Sequence, residues 1–183
     1  MGTVLRMDTM SGQMRKRTDR PVTPVAPGLP TLGRRGGGWV VLQFVLFGAA
    51  VAAGVAGTGW PSGARPWLAL VAGLLAVAGL VLLIGGGRRL GKQLTPYPLP
   101  VASGTLRRTG VYRFVRHPMY GGVALLLLAW ALISSPAALV VWAVSFVFLD
   151  AKRRREEAWL LEQHADYADY RQQVKSRLIP LVW

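Results

Sequence analysis

Four apolar blocks alternate with polar, basic segments along the chain. The blocks cover residues 39–58, 66–85, 119–135 and 137–151. Each of the first two matches the roughly 20 residues that span a bilayer as a helix. The last two are shorter, and the break at Ser134-Ser135-Pro136 joins them through a tight turn, which predicts a helical hairpin. We therefore expect an all-α integral membrane bundle of about four transmembrane helices that ends in this hairpin.

The segments between the blocks predict the remaining organisation. Residues 1–38 are polar and basic, and the prolines at 21, 24, 27 and 30 disfavour a helix there. We therefore expect a disordered cytoplasmic tail ahead of a membrane domain at 39–183. The glycines at 85–87 are predicted to end the second helix. Residues 88–118 then form a long polar connection, and residues 152–183 continue the fourth helix into water; both segments are expected to build a cytoplasmic site.

The positive charges predict the orientation. The chain carries a formal net charge of +14, and 21 of its 22 Lys and Arg residues lie outside the one short turn that holds Arg65. Four spans with both termini inside place those 21 on the cytoplasmic side. We therefore expect a multi-pass protein of the cell inner membrane with both termini in the cytoplasm. Anionic headgroups suit this charge better than nucleic acid, because the basic residues are interrupted by apolar spans.

The sequence also limits metal and redox chemistry. It contains no cysteine, which excludes disulfides and thiolate ligands. Its two histidines, His117 and His164, argue against a histidine-rich metal site.

A dense polar cluster stands at residues 110–122, at the foot of the third apolar block. Its members have ordinary explanations: Arg116 can snorkel to headgroups, Tyr112 and Tyr120 suit the membrane interface, and Pro118 suits a helix start. The cluster therefore indicates either a membrane anchor or an active site at the membrane surface.

The hairpin brings this cluster to a second one. His117 precedes the Ser-Ser-Pro turn by about 18 residues and Glu156 follows it by about 20, so the two differ in height by only about 3 Å. We expect His117 and Tyr120 to meet Glu156 and Glu157 at the cytoplasmic surface.

The charged run after the fourth block has an ordinary explanation as well. Lys152–Glu156 and Arg153–Glu157 are i,i+4 pairs, and such pairs usually do no more than solvate a helix face.

Two motifs resemble one known family. The isoprenylcysteine carboxyl methyltransferase family, with its phospholipid methyltransferase relatives, has an Arg-His-Pro signature that is similar to Gly110-x-Tyr112-x-x-x-Arg116-His117-Pro118-x-Tyr120-x-Gly122. The family's second motif resembles Glu156-Glu157 followed by Leu160, Tyr167, Tyr170, Arg177 and Pro180. Bacterial members also resemble the run Leu94-Thr95-Pro96-Tyr97-Pro98. The resemblance covers about residues 88–181, half of the chain.

This resemblance implies an integral membrane methyltransferase that uses S-adenosylmethionine and acts on a membrane-embedded acceptor of isoprenoid or lipid type. The cofactor pocket that it implies is lined by Gly104, Thr105, Leu106, Arg107, Tyr112, Arg116, His117, Pro118, Tyr120, Glu156 and Glu157. Eukaryotic members carry a substrate-side arginine at the position of Lys152, so the resemblance implies that Lys152, with Arg153 next to it, is a catalytic residue on the substrate side. Lysine keeps the charge but lacks the bidentate fork of arginine. The family's Phe-Gly before the first tail tyrosine is replaced by His164-Ala165.

Methyl transfer also fits the residue types themselves. In-line displacement from a sulfonium needs alignment and exclusion of water more than acid–base groups. A carboxylate such as Glu156 suits an ammonium or ribose hydroxyls, free N–H groups at the start of the third helix suit a carboxylate, and tyrosine faces suit adenine and a cationic sulfur. Two alternatives stay open: a sterol-type membrane reductase with a nicotinamide cofactor, and a non-catalytic membrane scaffold.

Overall fold

The computed structural model describes residues 36–97 and 104–180, and within these residues the chain is all-helical. Five α-helices follow in order, with short 3₁₀ turns at Gly91–Gln93 and Gly110–Arg113: α1 (Gly37–Ala56), α2 (Arg65–Leu90), α3 (Pro118–Ser134), α4 (Pro136–Gln163) and α5 (Tyr167–Gln173). The predicted N-terminal tail lies outside the described residues except at its end, where α1 already begins at Gly37. Part of the proline-rich run, from residue 98, lies outside them too.

The lengths and surfaces of the helices are those of a membrane bundle. Among the described residues, α1 and α2 are long and apolar enough to cross a bilayer, and α3 is a shorter apolar helix. In α4 the apolar part ends at Ala151 and a charged part follows. Large apolar side chains cover the outer faces of α1 and α2; Phe44 is 61% exposed and Leu74 is 65% exposed. Such a belt suits lipid rather than water. The number of four spans stays a prediction.

Helix α3 lies at the centre of the bundle, with α2 on one side and α4 on the other, while α1 packs mainly on α4. A Cβ atom on Gly79 would lie 2.9 Å from the carbonyl oxygen of Gly122, and one on Gly122 would lie 2.7 Å from that of Gly79. The backbones of α2 and α3 therefore touch, as is common where small residues meet between membrane helices. The indole of Trp130 ties α3 to α1 through the Ala50 carbonyl at 3.1 Å.

The prediction that the glycines at 85–87 end the second helix is wrong, because α2 continues to Leu90. Glycine occurs at positions 85 and 86 inside the helix because a larger side chain would crowd the neighbouring segments. A Cβ on Gly85 would lie 2.8 Å from the Val111 side chain, and one on Gly86 would lie 3.1 Å from Met119. Glycine costs a helix roughly 1 kcal/mol relative to alanine. Here it lets the polar segment and the start of α3 pack directly on α2.

The predicted helical hairpin is confirmed. Helix α3 ends at Ser134 and α4 begins at Pro136. Between them Ser135 caps α4, because its hydroxyl accepts from the Ala138 N–H at 3.2 Å, and it also donates to the Ala53 carbonyl at 2.8 Å. Helix α4 then continues past the charged run to Gln163, as expected.

The segment after α5 returns across the start of α3. Backbone N–H groups of Arg116 and His117 donate to two of its carbonyls, at 3.1 and 2.9 Å. A Cβ on Gly121 would lie 1.7 Å from the carbonyl oxygen of Leu178, which is itself buried. Only glycine at position 121 therefore leaves room for this segment, which closes one side of the polar end of the bundle.

Candidate functional site

A cavity of about 410 Å³ opens at the polar end of the bundle. It is lined by residues of α1, α2, α3, α4 and α5 and by the polar segments between them. Of the eleven residues predicted to bind the cofactor, ten line it: Gly104, Thr105, Leu106, Arg107, Tyr112, Arg116, His117, Pro118, Tyr120 and Glu156. Lys152 also lines it, whereas Glu157 and Arg153 do not.

The predicted meeting of the two clusters across the hairpin is confirmed. The hydroxyl of Tyr120 donates to Glu156 Oε2 at 2.7 Å, and His117 Nδ1 lies 3.8 Å from the same oxygen. The rings of His117 and Tyr120 stack, with centroids 5.8 Å apart and planes 5° from parallel. The Glu156 side chain is 25% exposed. It thus faces the cavity with a carboxylate that keeps room for further donors.

Glu157 has the opposite environment, although it is the next residue. Its side chain is 7% exposed and is surrounded by two guanidinium groups and an imidazole: Arg116 Nε at 2.9 Å, Arg153 Nη1 at 3.1 Å and His117 Nε2 at 3.1 Å. Burial alone would raise the pKa of Glu157, but the hydrogen bonds and charges of His117 and Arg116 outweigh it and hold that pKa below its usual range. The structure therefore places Glu157 in a buried ion-pair network behind the cavity.

The two arginines of this network are held within the protein. Arg116 is 7% exposed and also donates to the carbonyls of Val174 and Lys175, so it ties the C-terminal segment to the start of α3 instead of snorkelling. Arg153 is 4% exposed and bonds Asp150 Oδ1 at 2.7 Å as well as Glu157. The interpretation of this run as a solvated helix face is therefore wrong for Arg153.

Lys152 is fully buried and does not pair with Glu156 as the i,i+4 spacing suggested. Its ammonium donates to the side-chain carbonyl of Gln43 and to the Pro96 carbonyl at 2.8 Å. It also lies 5.5 Å from the ring centroid of Tyr120. Burial lowers the pKa of Lys152 to about 8, and the attraction of Glu156 offsets this only in part. A buried cation without a carboxylate partner among the described residues thus forms one wall of the cavity.

Three buried tyrosines form another wall. The Tyr170 hydroxyl donates to the Tyr112 carbonyl at 2.6 Å, which fixes α5 on the 3₁₀ turn at Gly110–Arg113. Burial raises the pKa of Tyr112 and of Tyr167 above the ordinary range and that of Tyr170 to about 12. All three phenols therefore stay protonated at neutral pH and can act as donors.

Two buried polar atoms at the cavity have no partner among the described residues. They are the Tyr167 hydroxyl and Arg107 Nε, and both residues line the cavity. Such an atom costs about 1–3 kcal/mol when it is left unpaired. At the start of α3, the first helical hydrogen bond runs from the Gly121 N–H to the His117 carbonyl, so the preceding N–H groups stand ahead of the helical ladder. These atoms indicate a polar ligand.

Sequence reasoning missed several lining residues, Gln43 and Met119 among them. Gln43 is the only amide, hydroxyl or charged side chain in α1. A lone polar residue inside a membrane helix is itself a signal of function, and that signal was available. His164, for which the sequence predicted no part in the site, follows the last residue of α4 as its C-cap and lines the cavity.

The fold and the cavity together define a small helical membrane protein with a ligand-sized cavity at one end. The model of the phospholipid methyltransferase family matches residues 67–166, more than half of the chain. The chain therefore belongs to the phospholipid methyltransferase family, whose members are membrane methyltransferases, and the resemblance drawn from the motifs is confirmed. No protein of curated function matches the chain. The match covers α3, α4 and all but the first two residues of α2, and it leaves out α1 and α5.

Proposed function

We propose that the protein transfers a methyl group from S-adenosylmethionine to a membrane-embedded acceptor of lipid or isoprenoid type. The observation that carries this proposal is the cavity itself, in which a half-satisfied carboxylate (Glu156) and two unpartnered polar atoms (on Tyr167 and Arg107) converge. Membership of the phospholipid methyltransferase family supports methyl transfer as the reaction.

The cavity fits this cofactor in size and in chemistry. Its volume of about 410 Å³ lies within the range of roughly 300–1,000 Å³ of small-molecule sites. The Glu156 carboxylate suits the cofactor's ammonium or ribose hydroxyls, and Arg107 Nε suits an anionic oxygen. The protonated tyrosines offer aromatic faces to adenine and to the sulfonium. When bound, S-adenosylmethionine supplies an activated methyl group on a cationic sulfur.

The residues of this chain then contribute orientation and exclusion of water, which an in-line displacement needs most. The Tyr120 hydroxyl holds the Glu156 carboxylate in one place, and the His117 ring stacks on the Tyr120 ring. The network around Glu157 holds His117 in turn, so we assign Glu157, Arg116 and Arg153 to positioning; of these three, Arg116 also lines the cavity. The C-terminal segment closes the cytoplasmic side of the site across Gly121.

The acceptor is proposed to enter from the bilayer. The apolar outer faces of α1 and α2 suit lipid, and the basic segments suit anionic headgroups on one side. The charge distribution supports a multi-pass protein of the inner membrane with both termini in the cytoplasm. A reporter fused to the C-terminus should therefore show cytoplasmic activity, and a periplasmic signal would contradict a site that faces cytosolic cofactor.

Incubation of membrane lipid extracts with purified protein and methyl-labelled S-adenosylmethionine tests the proposal. We expect a labelled lipid product in mass spectrometry, and its strong reduction in Glu156→Gln. The alternative reductase predicts instead that the protein binds NADPH and not S-adenosylhomocysteine. Labelling that does not differ between wild type and Glu156→Gln would contradict the proposed site.

A further inference from the structure

Helix α1 contributes one polar side chain to the cavity, although it lies outside the range that the family model matches. The side-chain carbonyl of Gln43 accepts from the Lys152 ammonium, which bridges α1 to α4. The residues on either side of it, Leu42 and Phe44, are exposed on the apolar surface. A polar residue in a membrane helix is costly, so it requires a partner, and Lys152 is the one that the structure gives it.

The Lys152 ammonium has a restricted set of neighbours. Gln43 and the Pro96 carbonyl accept its hydrogen bonds, and both are neutral. The titratable groups that face it are Glu156 on its own helix and Tyr120 on α3. The Glu156 carboxylate accepts from Tyr120, and the structure shows no ion pair between it and Lys152, whose ammonium donates to Gln43 and Pro96 instead. The buried ammonium of Lys152 is therefore stabilised by hydrogen bonds to neutral acceptors, because no carboxylate among the described residues pairs with it.

We propose that Gln43 is a positioning residue of the methyl-transfer site, which holds the Lys152 ammonium against the cavity wall and keeps that end of the cavity positively charged. This inference rests on the proposed function. A glutamine suits the task because it accepts a hydrogen bond without neutralising the cation. A cation held at this wall favours a methyl acceptor whose reacting group lies beside an anionic or electron-rich oxygen. Helix α1 is thereby a part of the active unit and more than a membrane anchor.

Three variants at position 43 separate hydrogen bonding from charge. Gln43→Leu removes the acceptor at similar volume, Gln43→Glu keeps it and adds a negative charge, and Gln43→Asn retracts it by one methylene. Phe44→Leu is the control, since Phe44 is 61% exposed on the same helix and contacts Phe47.

The first readout follows Lys152 itself and needs no acceptor. The chain has four lysines, so ¹⁵N-lysine labelling gives a simple NMR spectrum, and Lys152→Arg assigns the resonance. We expect Gln43→Glu to raise the pH at which Lys152 titrates by about 1–3 pH units, because an opposite charge at contact distance favours the ammonium. Gln43→Leu should lower it, Gln43→Asn should shift it in the same direction by less, and Phe44→Leu should leave it unchanged. Identical titration of Lys152 in wild type, Gln43→Leu and Gln43→Glu overturns the proposal.

The second readout separates this inference from the proposed function. S-Adenosylhomocysteine affinity should stay within about threefold of wild type in the position-43 variants, whereas labelling of lipid extracts at saturating S-adenosylmethionine should fall at least about tenfold in Gln43→Leu. A shifted Lys152 titration with undiminished labelling overturns the positioning role. Failure of the wild-type protein to bind S-adenosylhomocysteine would instead sink the proposed function, and the NMR titration would still report on the contact between Gln43 and Lys152.

Discussion

The two faces of α4 beyond Asp150 carry the same kinds of residue and have different environments. Lys152 and Glu156 lie on the face that lines the cavity, where neither pairs with the other. Arg153 and Glu157 lie on the next face, where they pair with each other at 3.1 Å and are nearly fully buried. Side chains of adjacent helical residues point about 100° apart. Glu156 therefore faces the cavity, while Glu157 faces the neighbouring parts of the protein. Of these two neighbouring glutamates, Glu156 is thus accessible to a ligand, whereas Glu157 is occupied by ion pairs within the protein.

The largest effect on stability should come from removing the buried ion pairs of Glu157, on the α4 face that also carries Arg153. Glu157→Gln leaves the buried guanidiniums of Arg116 and Arg153 without part of their compensation, and loss of a buried pair typically costs about 3–5 kcal/mol. We expect the thermal midpoint in mild detergent, followed by circular dichroism, to fall by about 6–20 °C at about 2–4 °C per kcal/mol. Arg154→Gln is the matched control. Arg154 also pairs with Asp150 but is 67% exposed, so its loss should cost no more than about 1 kcal/mol. Equal falls of the thermal midpoint in Glu157→Gln and Arg154→Gln would contradict the conclusion that the buried pairs matter more than the exposed one.

Acidic pH should lower the stability of the wild-type protein through the same glutamate, Glu157. The pKa of Glu157 is lower in the folded protein than in the unfolded chain, where it is about 4.3. Its contribution to stability is therefore fully present above about pH 4.3 and is lost as the pH falls below that value. We expect the thermal midpoint to fall more steeply between pH 5 and pH 3 in the wild type than in Glu157→Gln. Parallel curves would show that Glu157 gains nothing from its buried partners.

The sequence could predict heights along the helices better than directions around them. Counting residues from the Ser-Ser-Pro turn placed His117 level with Glu156, because rise per residue is nearly constant in a helix. The same count could not separate Glu156 from Glu157, since which side of α4 faces the cavity depends on how it packs on α3 and α1. Rotation about an axis is set by tertiary contacts, and no single motif encodes them.

Two further features were beyond the sequence patterns for related reasons. The glycines at 85–87 carry a strong signal for the end of a helix, but the structure uses them for close approach of Val111 and Met119. The 1.7 Å approach of Leu178 to a Cβ at Gly121 joins two segments that lie far apart in the sequence. In both cases the reason for glycine is a neighbour that only the fold supplies.

The next largest effect should be on cofactor affinity, and it should come from Glu156, on the α4 face that lines the cavity. Glu156→Gln keeps the size of the side chain and removes its charge. If Glu156 binds the cofactor, a charge-assisted hydrogen bond of about 1.5–3 kcal/mol is lost, which weakens binding roughly ten- to a hundredfold. We expect this loss in calorimetry with S-adenosylhomocysteine on folded, detergent-solubilised protein, with little change in the thermal midpoint. Affinity like that of the wild type would remove Glu156 from the proposed site and leave the two faces of α4 without a functional difference.

The smallest effect, and the one that separates ligand contact from packing most sharply, concerns two tyrosines of α5. The Tyr167 hydroxyl is buried without a partner among the described residues, whereas the Tyr170 hydroxyl donates to the Tyr112 carbonyl at 2.6 Å. Tyr167→Phe should leave the stability of the ligand-free protein unchanged or slightly raised, because it removes an unpaired buried group. Tyr170→Phe should lower that stability by about 0.5–1.5 kcal/mol, because it breaks a made bond.

Binding should reverse this order. Once S-adenosylhomocysteine fills the cavity, the Tyr167 hydroxyl gains a partner, so Tyr167→Phe forgoes about 0.5–1.5 kcal/mol and weakens affinity about 2- to 13-fold. Tyr170→Phe should bind with nearly the wild-type affinity once it is folded, since its hydroxyl is already engaged within the protein. A loss of stability in Tyr170→Phe alone, together with a loss of affinity in Tyr167→Phe alone, cannot arise from a general loosening of α5, which would lower stability and affinity together in both variants. If Tyr167→Phe lowers stability and leaves affinity unchanged, its hydroxyl belongs to the structural network of Glu157 and not to the cavity.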